Sequence, residues 1–371
     1  MKVLHYYDQQ NDLQARYVRL LMELCGTSAQ MSSCNTLSAV KSELRGSHWD
    51  ILHIHGCWLL DYAKASVLAH RLGTRTIITP HGELEPWILK NRQWQEKMPK
   101  TLLYQRQTIQ KAYVVIAMGD MERESLVQLG WNPRIETVRN ALVTRSITIA
   151  EMNRQLLNIY RKVMDSNVYE LMNDKTREAL FLLLKAGVCG DACWLQNSTL
   201  PTLPADSWRQ LMIYVRYEQL DSVMRRGLHL LRTTGADVSG ADIDVQGADC
   251  YLPAGYKAPE SIASVIGNKF ASEEERLLAT FKYLHRQHIA NRLAMTHLLE
   301  LEREIREHDI DEEHLTETLQ EHRLLPFVSR LMGLLAEFTG LEEGMMPITA
   351  LNDRQTQRLK DAVTGRLDVE G

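Results

Sequence analysis

Short apolar runs alternate with amphipathic repeats through the first 143 residues. Val3 to Tyr7, Trp49 to His55, Arg75 to Pro80, Ala112 to Met118 and Arg134 to Val138 each read as a strand. Between them lie helical spacings. Asp12 to Cys25 carries Leu13, Tyr17, Leu20, Leu21 and Leu24 on one stripe. Tyr62 to Leu72 is closed by Gly73, and Asp120 to Leu129 by Gly130. Lys97 to Lys111 reads as a helix with Leu102, Leu103 and Ile109 apolar and Gln105, Arg106 and Gln110 polar. Strand and helix in alternation predict a parallel sheet with helices on both faces.

The pattern changes after Val143. Ile147 to Ala186 is helical with few breakers, and residues 196–207 form a Pro- and Ser-rich loop. Asp206 or Ser207 is expected to cap the helix starting near Trp208. Residues 233–260, rich in Gly, Asp and Pro, read as a long flexible loop. Ser272 and Glu275 stand in capping-box spacing at the head of a long helix bearing Phe281, Leu284, Leu298, Leu301 and Ile305. Further helix runs through Leu335, and the chain is polar after Asn352. The expected fold class is α/β then all-α, a Rossmann-like parallel sheet followed by a mostly helical region. The expected domains are residues 1–145, a helical 146–258 and a helical 259–371.

Composition narrows the function class. A chain of 371 residues exceeds one ordinary core. The net charge of -4 provides no general attraction for nucleic acid. No apolar run approaches the roughly 20 residues of a membrane span. Met1 to Tyr7 reads as a strand rather than a leader, so a cytoplasmic protein is expected. Cys25, Cys34, Cys57, Cys189, Cys193 and Cys250 are scattered and read as reduced thiols. Cys189 with Cys193, and His285 with His288, lack the further ligands of a metal site, so no metal and no cofactor are expected.

Two strands end on chemistry-bearing residues. Ile51-Leu52-His53-Ile54-His55-Gly56-Cys57-Trp58 and Thr79-Pro80-His81-Gly82-Glu83-Leu84-Glu85-Pro86-Trp87 both carry an apolar run into His-Gly. Ligands of parallel sheets gather beyond the strand carboxyl ends. His81 is the candidate catalytic residue, since an imidazole there can hold a ligand hydroxyl and ordinarily titrates near neutrality. His55, Gly56, Trp58, Gly82, Glu83 and Trp87 are the candidate substrate-binding residues. His53 is expected to pack beneath the sheet.

These segments, with Tyr104-Gln105-Arg106, the Ala117 to Gly130 unit and Ile135-Glu136-Thr137-Val138-Arg139-Asn140-Ala141, resemble the N-terminal acceptor-side domain of glycosyltransferase family 4. The resemblance covers residues 1–143. It implies a GT-B type domain and transfer of a sugar from a nucleotide-sugar to a glycan or lipid-linked acceptor, in cell-surface polysaccharide or glycan biosynthesis. Three features depart from the family. Tyr7-Asp8-Gln9-Gln10-Asn11 holds no glycine to admit a diphosphate, and Ala141 stands where the family has glycine. No second Rossmann domain is recognisable after Val143, and the glutamates of residues 300–321 lie on a charged helix. The alternative reading is a catalytically inactive binding or scaffold protein acting with a partner protein.

Residues 90–111 add a membrane expectation. Lys90, Arg92, Lys97, Lys100, Arg106 and Lys111 face the lone acid Glu96, interleaved with Trp94 and Tyr104. Such a stretch suits peripheral contact with an anionic surface, or a solvated basic face.

Overall fold

The computed structural model describes residues 1–25, 29–85, 94–144, 146–190, 199–267, 270–307 and 310–369. The chain divides into two compact units, Met1–Met164 and Asp165–Glu370.

The first unit is built on a six-stranded, all-parallel sheet of order β2-β1-β3-β4-β5-β6. The strands are β1 (Lys2–Tyr7), β2 (Gln30–Cys34), β3 (Ile51–His55), β4 (Arg75–Thr79), β5 (Val114–Ala117) and β6 (Ile135–Thr137). Helices α1 (Asp12–Cys25), α2 (Leu37–Gly46) and α3 (Leu60–Arg71) connect the first four. β3 and β5 are buried along their whole length, as expected of inner strands covered on both faces. β2 was not legible in the sequence. It is an edge strand, Gln-Met-Ser-Ser-Cys, whose only fully buried residue is Cys34, so no apolar run marks it.

The order of the first three strands fixes where a ligand can sit. From β1 the chain crosses to β2 on one side, then returns past β1 to β3 on the other. The resulting topological switch point lies between the carboxyl ends of β1 and β3, at Tyr7 and His55.

The helix expected over Lys97 to Lys111 is interrupted. Trp94–Lys100 is α-helical with Pro99 inside it, Thr101–Gln105 is one π-helical turn, and Arg106–Lys111 resumes the α-helix. The wider turn shifts the helical phase, and Leu102, Leu103 and Gln105 exchange their expected sides. Leu102 and Leu103 are 74% and 76% exposed, while Gln105 is buried. Thr108 and Ile109 keep the inner face.

Helix Ile149–Met164 belongs to the first unit, which moves the boundary from the expected 145/146 to 164/165. Its Leu156 and Tyr160 are fully buried, and the Tyr160 hydroxyl lies 2.6 Å from His53 Nδ1. Arg75 donates to the Val163 carbonyl, and Lys162 pairs with Glu136 at 3.1 Å.

All regular structure of the second unit is helical among the described residues. One hydrophobic cluster runs from Val168 to Leu367, so the expected division at 258/259 has no separate cores on its two sides. Helices Asp174–Cys189 and Asp221–Thr233 pack through glycines. A Cβ on Gly187 would lie 2.1 Å from the Val223 carbonyl oxygen, and one on Gly227 2.2 Å from that of Leu183. Three local expectations change. The helix near Trp208 begins at Ala205 after Pro204, which places Asp206 and Ser207 inside it rather than at its cap. The stretch around residues 234–261 is irregular but packed, with Val238, Ala241, Ala248 and Tyr251 buried. The long helix from Ser272 is two helices, Glu273–Ile289 and Met295–Glu307, and Arg354–Thr364 in the polar tail is also helical. Ser272 does cap its helix, accepting from the Glu275 amide at 3.2 Å. Cys34, Cys57, Cys189 and Cys250 are free thiols.

Candidate functional site at the switch point

Four imidazoles meet below and at the switch point. His5 and His53 are register partners on β1 and β3, and His55 follows His53 by two residues. Alternation along a strand puts His53 and His55 on the same face, not on opposite ones. His5, His53 and His55 are fully buried, and His81, after β4, is partly exposed. The ring centroids of His53 and His55 are 4.1 Å apart, and that of His5 lies 5.4 and 5.3 Å from them.

Hydrogen bonds link these rings in series. His81 Nε2 lies 3.2 Å from His55 Nδ1, and His55 Nε2 lies 3.0 Å from His5 Nδ1. His53 instead spans two hydroxyls, Tyr160 at 2.6 Å and Thr79 at 2.8 Å. The Tyr17 ring meets His55 and His81 edge-on. Burial disfavours the imidazolium form. It pushes His5 down to about 3 and His81 to about 4. Burial, followed by repulsion from neighbouring imidazoles, holds His53 and His55 well below the ordinary range. All four are neutral at pH 7.

The loops above the strands are held in uncommon backbone shapes. His81 has φ 54° and Trp58 φ 69°, in the left-handed region that non-glycine residues seldom adopt. Gly56 has φ 109°, and a Cβ there would lie 2.7 Å from Gln14 Nε2. Glycine is therefore required where the backbone passes α1. Gly82, with φ 80°, continues the turn from His81.

Two carboxylates brace these turns. One oxygen of Glu83 accepts the Cys57 N–H at 2.6 Å and the other the Gln14 amide at 3.1 Å. Burial raises its pKa to about 7, against the opposing effect of the Cys57 N–H. Glu122 accepts the N–H of Gly82 and that of Met118, each at 2.6 Å. Burial raises its pKa as well, opposed by those two bonds.

Trp58 is packed into the wall at 8% exposure. Its indole N–H donates to the Glu83 carbonyl at 2.9 Å, and its backbone N–H donates to Gln105 Oε1 at 2.7 Å. The Tyr104 hydroxyl donates to the Trp58 carbonyl at 2.6 Å, and Lys97 Nζ sits 5.2 Å from the Trp58 ring. Lys90, Arg92 and Trp87 lie outside the described residues.

The structure thus brings His55, Gly56, Trp58, His81, Gly82 and Glu83 into one network. Gln105, read from sequence only as a polar helix position, joins it through Trp58, while His5, Gln14, Glu122 and Tyr160 complete it and were not singled out from sequence. His5 had a legible signal, a histidine in the middle of an apolar strand, but its pairing with His53 is a matter of register. Each of His5, His53 and His55 offers a ring nitrogen within 4.8 Å of the others, the spacing of a metal-binding group. The His5 and His55 nitrogens that face each other are already joined in a hydrogen bond, and among the described residues no carboxylate joins the group.

Comparison with known proteins agrees with this unit. No curated protein and no solved structure matches the chain. Residues 4–141 match the glycosyl transferase 4-like domain, and the match ends before helix Ile149–Met164. The segment that carries the sheet, the switch point and the four histidines is therefore similar to the acceptor domain of glycosyltransferase family 4.

Proposed function

We propose that the first unit is the acceptor-recognising part of a glycosyltransferase-like protein of glycan or polysaccharide assembly. The supporting observation is His81, a neutral, partly exposed imidazole held in a left-handed turn beside the switch point and hydrogen-bonded to buried His55. A neutral imidazole can hold an acceptor hydroxyl in place for attack on the donor sugar. In that reaction the sugar–phosphate bond breaks, the bond to the acceptor oxygen forms, and the hydroxyl proton passes to the departing diphosphate.

A second reading, a noncatalytic binding protein that works with a partner, rests on the donor side. The turn after β1 uses its own amides: Gln10 N–H donates to Asp8 Oδ1 at 3.0 Å and Gln14 N–H to Asn11 Oδ1 at 3.3 Å. A diphosphate would have to displace these bonds and meet the Asp8 charge. The helical second unit offers no strand-glycine-helix step among its described residues. Nucleotide-sugars are therefore expected to bind the isolated chain weakly.

The acceptor is proposed to be lipid-linked, which calls for peripheral contact with a membrane. Lys41, Arg45, Lys64, Arg71 and Lys111 surround a cavity of about 580 Å³, with Leu60 and Val67 at its lip. Leu102 and Leu103 are exposed on the same unit. No helix among the described residues is long and apolar enough to cross a membrane.

The test is calorimetry with uridine and guanosine diphosphate sugars, then turnover of labelled donor with membranes present. Turnover abolished by His81→Ala supports the enzyme. Acceptor-glycan binding without turnover, in the presence of membranes and cell extract, supports the binding protein.

A further inference from the structure

The three-imidazole series has two self-consistent proton arrangements. A neutral imidazole carries one N–H and one lone pair. If His81 donates from Nε2 to His55 Nδ1, then His55 must donate from Nε2 to His5 Nδ1, and His5 must carry its hydrogen on Nε2. In the opposite arrangement all three carry it on Nδ1, with donation running from His5 through His55 to His81. Any mixture puts two hydrogens or two lone pairs into one of the contacts at 3.0 and 3.2 Å. Because every ring is neutral near pH 7, no extra proton relieves such a clash.

The far end chooses between the two. His5 is fully buried, and its Nε2 has no hydrogen-bond partner among the described residues. Orphaned buried N–H donors of the backbone are rarer than under-satisfied acceptors, and a buried ring N–H left without an acceptor costs its full desolvation. A bare Nε2 on His5 places the hydrogen on Nδ1, and the series carries that choice outward.

We propose that His5 and His55 are positioning residues that fix His81 as its Nδ1–H tautomer, so that His81 offers the crevice an N–H donor rather than a lone pair. The ligand atom it recognises is then an oxygen lone pair, not a hydroxyl proton. This rests on the reading of His81 as an acceptor-side residue, and it refines it. His81 orients the acceptor oxygen, or a phosphate oxygen of the donor, and does not remove the proton. A pKa near 4 already makes His81 a weak base, in agreement.

The tautomers can be read without a ligand, so failure here is separable from failure of the functional reading. The full chain is labelled with ¹⁵N-histidine, and two-bond ¹H–¹⁵N correlations are recorded at neutral pH. Signals are assigned with His5→Asn, His55→Asn and His81→Asn. The expected result is Nδ1–H for His5, His55 and His81 alike. Nε2–H at His81, or different tautomers among the three, overturns the proposal. Titration of the labelled protein with uridine diphosphate and, separately, with a neutral oligosaccharide tells which oxygen shifts the His81 signals. If neither shifts them while the tautomers stand, the fixed donor survives and the acceptor-side reading falls.

Discussion

Glu122 holds Gly82 by its backbone: one carboxylate oxygen accepts the Gly82 N–H at 2.6 Å while the other accepts that of Met118 at the same distance. The helix Asp120–Leu129 is thereby tied to the turn that presents His81. Replacing Glu122 with Ala removes the acceptor for both amides. The expected cost is about 1–3 kcal/mol for an unsatisfied buried group. Glu122→Gln keeps one carbonyl oxygen and should recover part of it. Urea denaturation of the three proteins measures both effects, and equal stability of all three would contradict the bracing role.

Glu83 gives the protein a signed dependence on pH. Its carboxyl titrates at about 7 when folded, against an ordinary value of 4.5. Between these values the folded chain binds the proton that the unfolded chain has released. Stability therefore falls as pH rises through this window, and the loss is complete above about pH 7. Glu83→Gln removes this contribution. Its stability relative to the native chain should rise from pH 4.5 to 7 by on the order of 1–3 kcal/mol, since one pKa unit is worth about 1.4. A difference that stays flat across the window contradicts the raised pKa.

The glycine contacts of the second unit predict a steric penalty. Gly187→Ala and Gly227→Ala each force a methyl against a carbonyl oxygen of the opposing helix. Separating packed helices to admit it costs about 1–3 kcal/mol. Gly46, at the end of α2, has open space around its Cβ position, so Gly46→Ala serves as a control with little change. Melting temperatures should order the three variants accordingly.

Membrane contact has a direct assay. In this reading the exposed Leu102 and Leu103 insert at the interface, and the lysines and arginines that line the cavity meet anionic headgroups. The chain should co-sediment with vesicles of phosphatidylcholine and phosphatidylglycerol, less so in high salt. Leu102→Asp with Leu103→Asp should weaken this at least about tenfold, roughly 1.4 kcal/mol. Unchanged sedimentation of the double variant would rule out this surface.

Local pattern was enough to define much of the first unit. β1, β3, β4 and β5 are short apolar runs, α1 carries its own periodicity, and the helix Asp120–Leu129 has its closing Gly130. His55 and His81 stand at strand ends that the sequence marks by His-Gly. These features depend on residues a few positions apart, which is the range over which hydrophobic period and turn chemistry act.

Tertiary structure decided what depends on distant partners. β2 is a strand because β1 offers it hydrogen bonds, not because its residues are apolar. A single π-helical turn exchanged Gln105 with Leu102 and Leu103 between core and surface, which no count of period 3.6 foresees. His5 became part of the site only when parallel register set it beside His53, and Tyr160 when the following helix returned to the sheet. Register and burial are properties of chain segments brought together by folding, so the sequence named the histidines while the fold joined them into one hydrogen-bonded series.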